Sequence, residues 1–159
     1  MEVVIVRRPQ DAATIVADAY TRLLAGKPDA VLGLATGSTP LGVYRELIRR
    51  HREDGLSFAR AQAFNLDEYV GLPAGHPELY RTFIEREFTG QVDFADNAVH
   101  GPDGLADDLV RAAADYERMT AEAGAIDLQI PGIGADGHRA FNLPISPLTS
   151  RTRLQTPTT

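Results

Sequence analysis

The chain has 159 residues, of which 43% are apolar and 24% are charged, proportions that are ordinary for a soluble globular domain. It contains no cysteine, which excludes disulfides, thiolate metal ligands and cysteine nucleophiles. Its formal net charge of -6 argues against nonspecific nucleic-acid binding, although a local cluster of donors can still hold a small anion such as a phosphate.

Apolar residues 3–6 predict a first strand, and the N-terminus lacks the layout of a secretory signal. No apolar run is long enough to span a membrane, so we expect no membrane partner and a cytoplasmic location. Further strands are predicted at residues 31–35, 61–65, 98–100 and 126–130. Helices are predicted over residues 11–26 and 40–54, from about 77 onward, and from about 105 to 123, with Asp11 and Thr39 as capping residues.

This alternation of strands and helices predicts a single α/β domain over residues 1–159, with a doubly wound, mostly parallel sheet and helices on both faces. Segments 36–40, 66–71 and 132–138 are polar or glycine-rich, and each directly follows a predicted strand. Parallel strands end at the same edge of a sheet, and ligands bind at that edge near a switch in strand order. We therefore expect the three segments to line one crevice.

The first segment, residues 36–40, opens a predicted helix. The backbone amides and hydroxyls of Gly37, Ser38 and Thr39 can receive a phosphate, helped by the helix N-terminus. The segment is not a P-loop, because the lysine and the full spacing of that motif are absent. A capped turn with no ligand is the equally simple alternative.

The second segment places two adjacent carboxylates, Asp67 and Glu68, at a strand end. Either could act as a general base. The alternative is that one carboxylate caps a helix and the other is solvated. Nearby, Tyr80 and Phe83 have helical spacing, as Tyr20 and Tyr44 do elsewhere, and we predict core positions for all four.

The third segment, residues 132–137, matches the glycine spacing of a dinucleotide-binding loop. That interpretation fails because the ribose-binding carboxylate is missing: no Asp or Glu follows Asp136 in the sequence. No dinucleotide cofactor is therefore expected. Asp136 and His138 instead suggest an acid–base histidine tuned by an aspartate, with a loop histidine bonded to a carbonyl as the alternative. No histidine pair has metal-ligand spacing, so no metal site is expected.

Taken together, these segments resemble the glucosamine-6-phosphate deaminase family. Residues 34–40 are similar to its phosphate-loop signature, residues 64–72 and 76–78 to its second signature, and residues 132–138 and 140–142 to its third; residues 150–153 continue the match. The resemblance implies an aldose–ketose isomerase and deaminase of amino-sugar catabolism. Its substrates would be glucosamine 6-phosphate and water, and its products fructose 6-phosphate and ammonia, with no cofactor and with a possible homo-oligomeric assembly.

The resemblance also implies roles for individual residues. Asp67 would move a proton between C2 and C1 of the sugar. His138, positioned by Asp136, would move the ring-opening proton. Gly37, Ser38 and Thr39 would hold the substrate phosphate, which orients the sugar toward Asp67.

The sequence departs from the family pattern in several places. Leu143 replaces a glutamate that supports the ring-opening histidine, and Arg139 replaces an apolar residue. The family's C-terminal part, which supplies further strands and basic phosphate ligands, is absent, so the chain is C-terminally shortened relative to the family. Ser146 and Arg153 match an effector-site pattern of some members, whereas Gln155 replaces a lysine of that pattern.

Two alternatives follow from these departures and from related families. The chain could be a catalytically impaired fragment that binds sugar phosphate or only assembles with other subunits. It could also be a 6-phosphogluconolactonase-like hydrolase. The lactonase signatures lack the run at residues 67–71, so they are the weaker match.

Overall fold

The computed structural model describes residues 3–134, 137–144 and 146–156. Its sheet has four parallel strands in the order β3-β2-β1-β4. The strands are β1 (Val31–Leu34), β2 (Gln62–Asn65), β3 (Val99–His100) and β4 (Leu128–Gln129). The helices are α1 (Pro9–Gly26), α2 (Leu41–Asp54), α3 (Tyr80–Glu87) and α4 (Leu109–Glu122), and a short 3-10 helix spans Thr89–Gln91.

The order of the strands creates a switch point beside β1. The chain moves outward from β1 to β2 and β3, then crosses back so that β4 pairs with the other side of β1. Leu32 and Gly33 pair with Leu128 and Gln129 across this junction. In an open parallel sheet, the crevice outside the carboxyl ends of strands at such a point is where ligands bind.

Alternate side chains of the central strands enter two separate cores. Leu32 and Leu34 of β1 pack with α1, α2 and α3 on one face of the sheet. Val31 of β1 and Phe64 of β2 pack on the other face, against Tyr116 of α4. The two cores confirm the predicted α/β fold with helices on both faces of a parallel sheet.

Several predicted element ends were wrong. Residues 3–6 form no strand and lie outside the sheet, with Ile5 92% exposed, because β-propensity alone does not supply a strand partner. Helix α1 begins at Pro9, and Asp11 does not cap it but forms an ion pair with Arg8. Helix α2 begins at Leu41 after Pro40, so Thr39 is not its cap.

The helix α4 also begins later than predicted, at Leu109. Its cap is Asp108, whose carboxylate accepts a hydrogen bond of 2.9 Å from the backbone N–H of Arg111. Leu105, which was predicted to begin the apolar face, is exposed. Within the described residues, no helix combines the length and the apolar character needed to cross a bilayer.

Candidate active site

The three segments at residues 36–40, 66–71 and 132–138 are called the first, second and third loops. The first loop follows β1, and hydrogen bonds hold the backbone of Ala35 at its start. The buried hydroxyl of Tyr44, on α2, donates to the carbonyl of Ala35 at 2.6 Å and accepts from its N–H at 3.1 Å. Thr36 and Gly37 follow directly and line a cleft. Gly37 has a φ of +100°, a left-handed conformation that favours glycine. Ser38 and Thr39 come next as exposed residues ahead of α2.

The second loop separates the two adjacent carboxylates into different environments. The Glu68 carboxylate accepts hydrogen bonds from the backbone N–H groups of Tyr69 at 2.8 Å, Tyr80 at 2.9 Å and Arg81 at 2.9 Å. The last two belong to the first turn of α3, whose N-cap residue, Leu79, provides no side-chain bond. Glu68 therefore caps α3 from a distance, as one of the two alternatives anticipated.

Asp67 instead lines the cleft and is partly buried. Burial raises the pKa of Asp67 to about 6, repulsion from Glu68 acts in the same direction, and hydrogen bonding from the backbone of Phe141 acts against both. A carboxyl with a pKa near 6 is mostly ionised at neutral pH and is more basic than an ordinary aspartate. Such a group suits general-base chemistry near neutral pH.

In the third loop, two backbone hydrogen bonds form a turn that places Gly134 next to the imidazole of His138. The N–H of Gly134 donates to the carbonyl of His138 at 2.9 Å, and the N–H of Gly137 donates to the carbonyl of Gly134 at 2.9 Å. A Cβ atom at Gly134 would collide with the His138 ring, so the ring requires a glycine at this position. Asp136, the predicted partner of His138, lies outside the described residues.

Three aromatic rings join the second loop, α3 and the third loop. The ring centroids of Tyr69, Tyr80 and Phe141 lie 4.9 to 5.6 Å apart. The hydroxyl of Tyr80 donates to that of Tyr69 at 3.3 Å and also lies against the side chain of Thr36. Burial, together with Tyr69 and the charge of Asp67, raises the pKa of Tyr80.

The core positions predicted for Tyr80 and Phe83 were therefore partly wrong, because both residues line the cleft. Tyr20 and Tyr44 are fully buried, as predicted. The helical spacing of Tyr80 did not show that α3 begins at this residue, which places it beside the loops. The prolines at positions 73 and 77 were the available signal, since proline within a helix tends to end or displace it.

The three loops and α3 enclose one cleft of about 600 Å³. It brings together Gly37, Asp67 and His138, as the strand-end argument predicted. Arg86, on α3, also lines it. In residues 3–134, 137–144 and 146–156, no three His, Asp or Glu side chains are grouped so that they could hold a metal ion.

A second cavity, also of about 600 Å³, lies between the second loop, α4 and residues 150–156. It shares Asp67 with the first cleft. The predicted effector-site residues meet beside it: the Arg153 guanidinium donates to Ser146 Oγ at 3.2 Å and to Asn142 Oδ1 at 3.1 Å. Leu143 is partly buried just after the tight turn at residues 139–142, and Arg139 is exposed.

Comparison with known proteins gives consistent matches over almost the whole chain. The family model described as glucosamine-6-phosphate isomerases/6-phosphogluconolactonase matches residues 7–158. The glucosamine-6-phosphate deaminases of Beutenbergia cavernae and Mycolicibacterium smegmatis are 61% and 58% identical over 156 residues, which is 98% of this chain and 60% of each relative. The chain therefore spans about 60% of the length of these curated relatives.

Solved structures match the same fold. A monomeric glucosamine-6-phosphate deaminase superposes with a TM-score of 0.92 at 39% identity, covering 95% of this chain and 63% of that one. The 6-phosphogluconolactonase of Thermotoga maritima superposes with a TM-score of 0.70 at 26% identity, covering 83% of this chain and 58% of that one.

Proposed function

We propose that this chain, which belongs to the family of glucosamine-6-phosphate isomerases and 6-phosphogluconolactonases, acts as a glucosamine-6-phosphate deaminase of amino-sugar catabolism. The reaction would convert glucosamine 6-phosphate and water into fructose 6-phosphate and ammonia. The observation that supports this most directly is the position of Asp67, a carboxyl with a raised pKa, in a cleft that also contains His138 and the first glycine loop.

In this proposal the phosphate binds at the turn formed by Gly37, Ser38 and Thr39. The turn immediately precedes the 14-residue helix α2, whose first N–H groups and dipole favour an anion. The other end of the sugar then lies in the cleft, where His138 moves the proton that opens the ring. Binding the phosphate at a fixed point converts the proton transfers into steps within one oriented complex.

Asp67 would then remove the proton from C2 of the open-chain sugar, which leaves an enolamine. Returning the proton to C1 gives an iminium group at C2. Addition of water at C2 and departure of ammonia complete the conversion to the ketose. Asp67 must be ionised to begin this sequence, so its raised pKa sets the lower end of the working pH range.

A lactonase is the less favoured assignment. Eight curated relatives named glucosamine-6-phosphate deaminase are 47% to 61% identical to this chain, whereas the lactonase structure from Thermotoga maritima is 26% identical. A cytoplasmic location is part of the proposal, because the substrate is a soluble metabolite. A homo-oligomer is not needed by the proposed site, since Gly37, Asp67 and His138 all come from one chain.

The test is ammonia release from glucosamine 6-phosphate by purified, monodisperse protein, together with exchange of the C2 proton in heavy water. Asp67→Asn should abolish both, because the amide cannot take up the proton. The value of kcat/KM should fall as the pH decreases through about 6, where Asp67 becomes protonated. Exchange that persists in Asp67→Asn would remove Asp67 as the base, and lactone hydrolysis without ammonia would favour the lactonase.

The departure at Leu143 favours a second candidate, a chain that binds the sugar phosphate with impaired turnover. Leu143→Glu restores the carboxylate of the family pattern and should increase ammonia release, because ring opening would regain its supporting group. Measured kcat on the cyclic sugar, compared with the isosteric Leu143→Gln control, separates the charge from the size of the side chain. A rate in Leu143→Glu no higher than that of the wild type would show that this position does not limit turnover, and equal gains in the two variants would show that the charge is not the cause.

A further inference from the structure

The geometry points to Glu68 as a positioning residue, which holds Tyr80 opposite Asp67 by capping α3 from the same loop that carries Asp67. Its effect on turnover rests on the proposed function, but its contacts do not. Glu68 Oε1 accepts from the N–H groups of Tyr69 and Tyr80, and Oε2 accepts from that of Arg81. A carboxylate is also favoured at the positive end of a helix dipole.

The hydrogen bonds from Glu68 to α3 fix the position of Tyr80, which lines the cleft. Tyr80 is the first residue of α3, so the position of its backbone sets the position of its side chain. That side chain reaches Tyr69 on the second loop and Thr36 on the first, and its ring packs against Phe141 of the third. Through Tyr80, one carboxylate therefore links all three loops of the cleft.

Glu68 also acts on Asp67 through its charge. The negative charge of Glu68 opposes ionisation of its neighbour and so raises the pKa of Asp67. Tyr80 on α3, Tyr116 on α4 and the backbone of Phe141 on the third loop also interact with Asp67, and the charged residues Glu117, Arg151 and Arg153 line the second cavity with it. Three further charged or titratable residues, Glu78, Arg86 and His138, line the first cleft.

Two conservative variants distinguish the contribution of the length of the Glu68 side chain from that of its charge. Glu68→Asp keeps the charge but is one methylene shorter, so it should lose the bonds to α3. Glu68→Gln keeps the length but removes the charge. Glu85→Gln is the matched control, because Glu85 is an exposed residue of the same helix.

Three measurements follow on each full-length variant. In Glu68→Asp, the backbone N–H groups of Tyr80 and Arg81 should exchange with solvent roughly tenfold faster, as expected for loss of a hydrogen bond to a charged acceptor. In Glu68→Gln, the pKa of Asp67, followed by carbon NMR of its carboxyl, should fall. With glucosamine 6-phosphate, Glu68→Asp should lower kcat more than it changes KM, because the phosphate loop is intact.

The first two measurements need no turnover, so they remain decisive if the chain proves inactive. Unchanged exchange at Tyr80 and Arg81 in Glu68→Asp would overturn the positioning role. An Asp67 titration that is the same in Glu68→Gln and the wild type would overturn the electrostatic role. An equal change in Glu85→Gln would show that the effects come from net charge and would also overturn the inference.

Discussion

Replacing Asp67 with asparagine should stabilise the folded chain at alkaline pH while it abolishes the proposed chemistry. Burial raises the pKa of Asp67 from 3.8 to about 6, so the folded state disfavours the ionised carboxylate. A shift of about two pH units corresponds to about 3 kcal/mol of unfavourable free energy at high pH. Because the carboxyl is still partly exposed, and asparagine pays its own burial cost, we expect a net gain of about 1–2 kcal/mol at pH 8.

The sign of the pH dependence follows from proton binding. Between about pH 4 and 6, the folded chain holds a proton at Asp67 that the unfolded chain has released. The contribution of Asp67 to stability is therefore fully present below about pH 4 and is lost as the pH rises through about 6. The asparagine variant has no such group, so its advantage over the wild type should appear across this window and stay constant above it.

Urea denaturation at about pH 4.5 and 8 measures the effect as the difference in free energy of unfolding between variant and wild type. Asp29→Asn, at an exposed aspartate in the turn between α1 and β1, is the matched control and should show no such change between the two pH values. The reasoning is refuted if Asp67→Asn has the same effect on stability at both pH values. It is also refuted if the variant is less stable at pH 8, since the ionised carboxylate would then stabilise the fold.

Two further predictions concern the loops around the cleft. Gly134→Ala would bring a methyl group into steric conflict with the ring of His138, so the ring must move and kcat for ammonia release should fall, by up to about a hundredfold. Gly132→Ala meets no atom within 4 Å and should lose far less; equal losses would mean that crowding of the ring is not the cause. Tyr44→Phe removes both bonds to Ala35 and should lower the urea-derived free energy of unfolding by about 1–3 kcal/mol, whereas an unchanged value would show that solvent replaces them.

The sequence predicted the convergence of the three loops because this feature depends only on the alternation of strands and helices. Strands that alternate with helices form a parallel sheet, and the segments after the strands then meet at one edge whatever the details of side-chain packing. Gly37, Asp67 and His138 reach the same cleft for this reason. The predicted ends of the four strands in the sheet were also accurate to within about two residues.

The residue pattern at the strand end did not decide between Asp67 and Glu68, and only the family resemblance favoured Asp67, because the answer depends on a contact between distant residues. Glu68 is bonded to backbone N–H groups 12 and 13 positions further along the chain. These N–H groups have no hydrogen-bond partner within the helix because α3 begins at Tyr80, after two prolines, and not near Pro77. A helix boundary is the least certain feature of a sequence pattern, and here it decides which carboxylate is structural.

The cap in turn explains why Asp67 is the better candidate for the base. Both oxygens of Glu68 are occupied by backbone N–H groups, so Glu68 would have to release α3 before it could accept a proton from a substrate. Asp67 is next to it but faces the cleft, where burial and the charge of Glu68 both make its carboxylate more basic. Glu68 thus raises the proton affinity of Asp67 while it holds Tyr80 in place beside the cleft. Of the two adjacent acids after β2, Glu68 therefore caps α3, which leaves Asp67 as the carboxylate available to a substrate in the cleft.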